Sequence, residues 1–65
     1  MKNFIEVTDF EDQQLLVNTE NILWVRPYEA ENGTVIYMAS PGRNNYPVSV
    51  TVKESYEQIK QKCKE

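Results

Sequence analysis

Nothing in this chain of 65 residues can cross-link or clamp it. Cys63 is its one cysteine and there is no histidine, so an internal disulfide and a Cys/His zinc cluster are both excluded. A domain this short buries only a modest share of its surface, and must be held by apolar packing or by association with another surface. Hydrophobic residues make up 40% of the chain, enough for a core and too many for a disordered tail. No run of about 18 apolar residues is present. The start, Met1-Lys2-Asn3-Phe4, leads into no apolar signal core. The expectation is one cytoplasmic domain over residues 1–65, with no membrane span.

Side-chain periodicity predicts five strands and one helix. Residues 3–9 alternate, with Ile5 and Val7 on one side and Phe4, Glu6 and Thr8 on the other, the period-two pattern of a half-buried strand. Glu11-Asp12-Gln13 reads as a polar turn, and residues 14–17 resume a strand. Asn18-Thr19-Glu20-Asn21 offers side chains that bond to nearby backbone, which predicts a bend or bulge. Residues 22–26 are dense in β-branched and aromatic types, and Pro27 removes a ladder donor. Asn32-Gly33 is the strongest local signal, since both residues tolerate the positive φ of a tight hairpin turn. Residues 34–39 carry apolar side chains on both faces, which calls for cover on both sides or a subunit contact. Ser40-Pro41-Gly42-Arg43-Asn44-Asn45 reads as a loop, and residues 46–50 as the last strand, with Val48 and Val50 inward. From Val52 the spacing Val52, Tyr56, Ile59, Cys63 forms one helical stripe. A helix over residues 52–63 follows, started by a Thr51 to Glu54 capping box, with Ser55 to Gln58 as a competing cap.

Candidate chemistry is sparse. Glu6, Asp9, Glu11 and Asp12 cluster in or beside a polar turn, and are expected to be solvated surface carboxylates. Cys63 has no histidine to act as its base and is expected to be a small buried hydrophobe on the helix stripe. Gly33 and Gly42 are the only glycines, and each is explained by a turn, so no phosphate-cradling loop is present. No catalytic residue, cofactor site or metal site is predicted. Net charge is −3, with seven acids and two bases in residues 1–31 against three acids and five bases in residues 32–65. The overall sign opposes binding driven by phosphate neutralisation, although the uneven distribution leaves a local basic patch open.

The aromatic residues are the features with most to weigh. Trp24, Tyr28, Tyr37 and Tyr46 lie on or beside predicted strands, where they serve as core, as a subunit interface, or as a stacking platform for bases. Core or interface is the favoured reading. The predicted contact residues are Trp24, Tyr28, Tyr37 and Met38. The alternative, nucleic-acid binding, would use Arg26, Arg43, Lys53, Lys60 and Lys64, although Glu57 stands among the helix lysines at ion-pairing distance along the chain.

Taken in order, the chain resembles the short bacterial flagellar and swarming-motility proteins of the FlbD type. The resemblance lies in Ile5-Glu6-Val7-Thr8, in Leu16-Val17-Asn18 followed by Ile22 and Val25, in Thr34-Val35-Ile36 after a turn, and in Val52-Lys53-Glu54-Ser55 leading into Glu57, Gln58 and Ile59. It implies a strand-rich body with a helical end and a motility role. Val17-Asn18, Ile22-Leu23-Trp24-Val25, a hairpin and a threonine-led helix are also similar to the strand core of LytTR DNA-binding domains, which implies a regulatory nucleic-acid module.

The expectation is therefore an α+β fold, a four- to five-strand, mainly antiparallel sheet meander with one C-terminal helix packed on it. Functionally, it is a non-enzymatic cytoplasmic interaction module that associates with itself or a protein partner, and no small-molecule substrate is expected.

Overall fold

The computed structural model describes residues 3–39 and 48–64. It contains the strands β1 (Phe4–Thr8), β2 (Gln14–Asn18), β3 (Ile22–Tyr28), β4 (Gly33–Met38) and β5 (Val48–Val52), followed by the helix α1 (Tyr56–Lys64). The fold is α+β, as the periodicity predicts. All ladders are antiparallel, β1 with β2 in one sheet and β3-β4-β5 in order in the other. The predicted single meander is thus divided in two. Its halves are joined by an isolated bridge between Asp9 and Val52 and by the Lys53 N–H, which donates to the Thr8 carbonyl at 2.7 Å.

The two inner faces and the helix share one core. Ile5, Val7, Val17, Ile36, Val52 and Ile59 are buried together, with Leu15, Ile22, Val25, Met38 and Val50 packed around them. The pairing Ile5 to Val17 and Val7 to Leu15, and the row Val25, Ile36, Val50, place these side chains on the facing sides of their sheets. The predicted inward position of Val50 holds, whereas Val48, at the strand start, is half exposed.

The turns follow local side-chain chemistry. Asp9 closes the β1–β2 connection, its carboxylate accepting from the Glu11 and Gln13 N–H groups, both at 2.9 Å. Asp12 takes the left-handed conformation there, with φ 65°, a region short polar side chains tolerate. Between β2 and β3 the predicted bend is a 3₁₀ turn over Thr19–Asn21, capped by the Asn18 side chain, which accepts from the Glu20 N–H at 3.0 Å.

Three local expectations are corrected. The hairpin after β3 is not a two-residue Asn-Gly turn. Glu29–Glu31 form a 3₁₀ turn, only Asn32 is left-handed (φ 57°), and Gly33 has no positive φ and is the first residue of β4, paired with Tyr28. Glycine is required there for space, because a Cβ would lie 2.2 Å from the Val52 carbonyl oxygen and 3.2 Å from the Phe10 ring. The second correction concerns the chain's end. Residues 51 and 52 belong to β5 and not to a helix, since the pairs Val35–Thr51 and Thr34–Val52 hold them in the ladder. Val48, Val50 and Val52 fit a period of two as well as Val52 fits the helical stripe. The helix starts at the competing cap instead. The Ser55 N–H donates to the Gln58 side-chain oxygen at 2.8 Å, and the Gln58 N–H to the Ser55 hydroxyl at 3.2 Å, which is the reciprocal capping box. Glu54, freed from that role, accepts from the Thr8 N–H at 2.8 Å. Third, Cys63 is exposed and not buried, because the nine-residue helix reaches the core only through the fully buried Ile59. The predicted loop 40–45 and residues 46–47 lie outside the described residues.

Two stability measurements check this account. Gly33→Ala should destabilise the fold by about 1–3 kcal/mol in urea denaturation, the usual cost of overpacking against backbone. Ser55→Ala should cost about 1 kcal/mol and reduce helical circular dichroism, whereas Thr51→Ala should leave the helix signal unchanged.

Candidate functional site: the outer face of the three-stranded sheet

The register of β3 contains one irregularity, and it decides where the aromatic residues go. Ile22 pairs with Met38 and Trp24 with Tyr37, so Leu23 is an extra residue between two consecutive partners, a β-bulge. Ordinary alternation would place Trp24 on the same face as Ile22, toward the core. The bulge turns it to the opposite face, and Val25 packs inward in its place. Beyond the bulge, Trp24, Arg26 and Tyr28 alternate along the outer side of β3, opposite Tyr37, Val35 and Gly33 of β4.

These residues interact across the strands. The Trp24 and Tyr37 rings stack, with centroids 4.8 Å apart and planes at 22°. The Arg26 guanidinium lies over the Tyr37 ring at 5.6 Å from its centroid, within cation–π range. At the far end of the strand, Tyr28 meets Phe10 edge-to-face at 6.1 Å, and Phe10 lies close over Gly33. Val35 is largely covered beneath this layer, while Trp24 remains 51% exposed. The two-sided apolar character of β4 is therefore resolved by cover on both faces: Thr34 and Ile36 are fully buried on the core side, and Val35 is covered on the other.

Of the predicted contact residues, Trp24 and Tyr37 come together and Tyr28 lies farther along the same strand face. Met38 does not join them, because it packs half-buried against the core. Phe10 belongs to this surface and was not singled out from the sequence. Its position in a polar turn hid it, and only the Asp9–Val52 bridge brings it beside Tyr28.

The alternative cationic set is carried by different elements among the described residues. Arg26 lies on β3. Lys53, expected within the helix, precedes it and pairs with Asp12. Lys60 lies 3.7 Å from the Glu57 carboxylate and over the Tyr56 ring, Lys64 is exposed at the helix end, and Arg43 lies outside the described residues. Among those residues no group of three or more potential ligands is placed to hold a metal ion, and no helix is long and apolar enough to cross a membrane. Comparison with family models, curated proteins and solved structures finds no match for this chain.

The stack supplies a direct spectroscopic check. Tyr37→Leu should strongly reduce the near-ultraviolet circular dichroism of Trp24 and lower stability by about 1 kcal/mol, the ordinary worth of an aromatic pair beyond area burial, while the far-ultraviolet spectrum is retained.

Proposed function

We propose that this chain is a non-enzymatic protein-interaction module that associates with a second copy of itself through the outer face of β3 and β4. The observation that carries the reading is the half-exposed Trp24, held in place by its stack on Tyr37. A rigid, partly solvated indole loses little freedom when its remaining surface is covered, which is the property of an interface anchor. The small size of the core supports a second copy as the partner, since a chain without cross-links gains most from burying further apolar surface. A two-fold contact would bury the same strip on both copies. The cytoplasmic setting and a place among motility-type proteins, as the FlbD resemblance implies, complete the proposal.

The second reading, a nucleic-acid module of the LytTR kind, is favoured by one observation, the aromatic pair beside Arg26. Against it, the Tyr37 ring is already engaged by Trp24 and Arg26, which leaves chiefly Trp24 for a base. Binding of this kind would have to strengthen as salt is lowered.

Sedimentation equilibrium from micromolar to millimolar concentration should show a monomer–dimer equilibrium accompanied by a blue shift of Trp24 emission. Trp24→Ala should raise the dissociation constant by about 30-fold, the equivalent of a ~2 kcal/mol anchor. A strict monomer at every concentration would overturn self-association. Titration with duplex DNA and single-stranded RNA at low ionic strength should show no association, and salt-sensitive binding there would favour the second reading.

A further inference from the structure

Asn32 is the only asparagine of the chain that is followed by glycine. In that dipeptide no side chain shields the glycine nitrogen, which can attack the asparagine side-chain carbonyl carbon. The new N–C bond closes a succinimide, and the former side-chain nitrogen leaves as ammonia, taking the glycine amide proton with it. Water then opens the ring to aspartate or to isoaspartate. Asn32 is exposed, so access by water does not oppose this reaction.

Two features of the fold do oppose it. Ring closure requires the Gly33 nitrogen and the Asn32 Cβ to be nearly eclipsed about the Cα–C bond of Asn32. At φ 57° and ψ 30° the two lie on nearly opposite sides of that bond. The Gly33 nitrogen is also engaged. Pro27 pairs with Thr34 and has no N–H, so the hydrogen-bonded pairs of this ladder are the flanking ones, and Gly33 with Tyr28 is one of them. Gly33 is buried, with the Phe10 ring over it and the Val52 carbonyl beside it, so turning its peptide means breaking the end of the ladder.

We propose that Asn32 is a modification site closed by the fold: deamidation there requires the β3–β4 hairpin to open, and the isoaspartate formed keeps the hairpin from closing in its original register. Isoaspartate adds one backbone carbon before Gly33, a residue fixed by Tyr28 across the ladder and by the Val52 carbonyl. Aspartate preserves the backbone length and tolerates the left-handed conformation. An opened hairpin thus leaves a covalent record in the chain. The proposal does not require self-association.

The test incubates the intact chain at mildly alkaline pH, in buffer and in concentrated urea, beside the short peptide acetyl-Glu-Ala-Glu-Asn-Gly-Thr-amide in the same two solvents. Deamidation at Asn32 is followed by peptide mapping and mass. In buffer the chain should react at least about tenfold more slowly than the peptide, the equivalent of ~1.4 kcal/mol of opening free energy, and in urea the two rates should converge. A smaller difference in buffer, or a difference that persists in urea, would overturn the gating. The isoaspartyl chain, separated by chromatography, should unfold at a lower urea concentration than Asn32→Asp, which should unfold near the parent chain. Equal midpoints for the isoaspartyl chain and Asn32→Asp would overturn the effect on register.

Discussion

The structure depends on a clasp formed by four consecutive residues, Thr51 to Glu54. Thr51 and Val52 complete the β5 ladder with β4, and Val52 also bridges Asp9 at the end of β1. The next two residues continue the attachment: the Lys53 N–H donates to the Thr8 carbonyl, and the Glu54 carboxylate receives the Thr8 N–H. From the other side the hydroxyl of Thr34, fully buried on β4, donates to the Glu54 carbonyl at 2.8 Å. A buried hydroxyl and a strand-end carbonyl would each be costly if left unpaired, and here each satisfies the other. Without this segment the two-stranded ladder would have few ties to the rest, and a lone hairpin is marginal in water. The clasp also fixes where α1 begins, directly after it, and so where Ile59 enters the core.

The same clasp shapes the outer surface. Its bridge to Asp9 brings Phe10 over Gly33 and against Tyr28, and the missing Cβ of Gly33 permits the Val52 carbonyl to approach closely. At the opposite end of β3 the bulge at Leu23 turns Trp24 outward. A surface with aromatic groups at both ends and Arg26 between them therefore arises from two backbone devices, neither of which is an aromatic preference.

Much of this was legible from the sequence, and the exceptions have physical causes. Strands β1 and β2 follow from alternation and turn chemistry, and β3 and β4 from their density of β-branched and aromatic residues. The boundary between β5 and α1 is not legible locally, because Val52 satisfies both periods and only its long-range partners, Asp9 and Thr34, choose between them. Ser55 with Gln58 was visible as a cap, yet nothing local ranks it above Thr51 with Glu54. Trp24 and Tyr37 stand out by type and position as predicted contact residues, and the structure brings them together in one stack. Met38 was grouped with them because a two-sided apolar strand does not reveal which face is covered. Phe10 was not identified, since its neighbours are reached across 18 residues or more of sequence.

For the proposed self-association, the distribution of exposed groups favours the sheet face over its edge. β3 is one of the two edge strands of its sheet, and a seven-residue edge would ordinarily invite pairing with another strand. Pro27 lies in that edge and has no N–H to offer, and the Leu23 bulge distorts it. Both are devices that blunt an edge. The face has the opposite character, with an ordered stack, half-exposed Trp24 and one cation seated over the Tyr37 ring. Covering such a surface would cost the stacked rings little further order, and Arg26 would keep its contact with Tyr37.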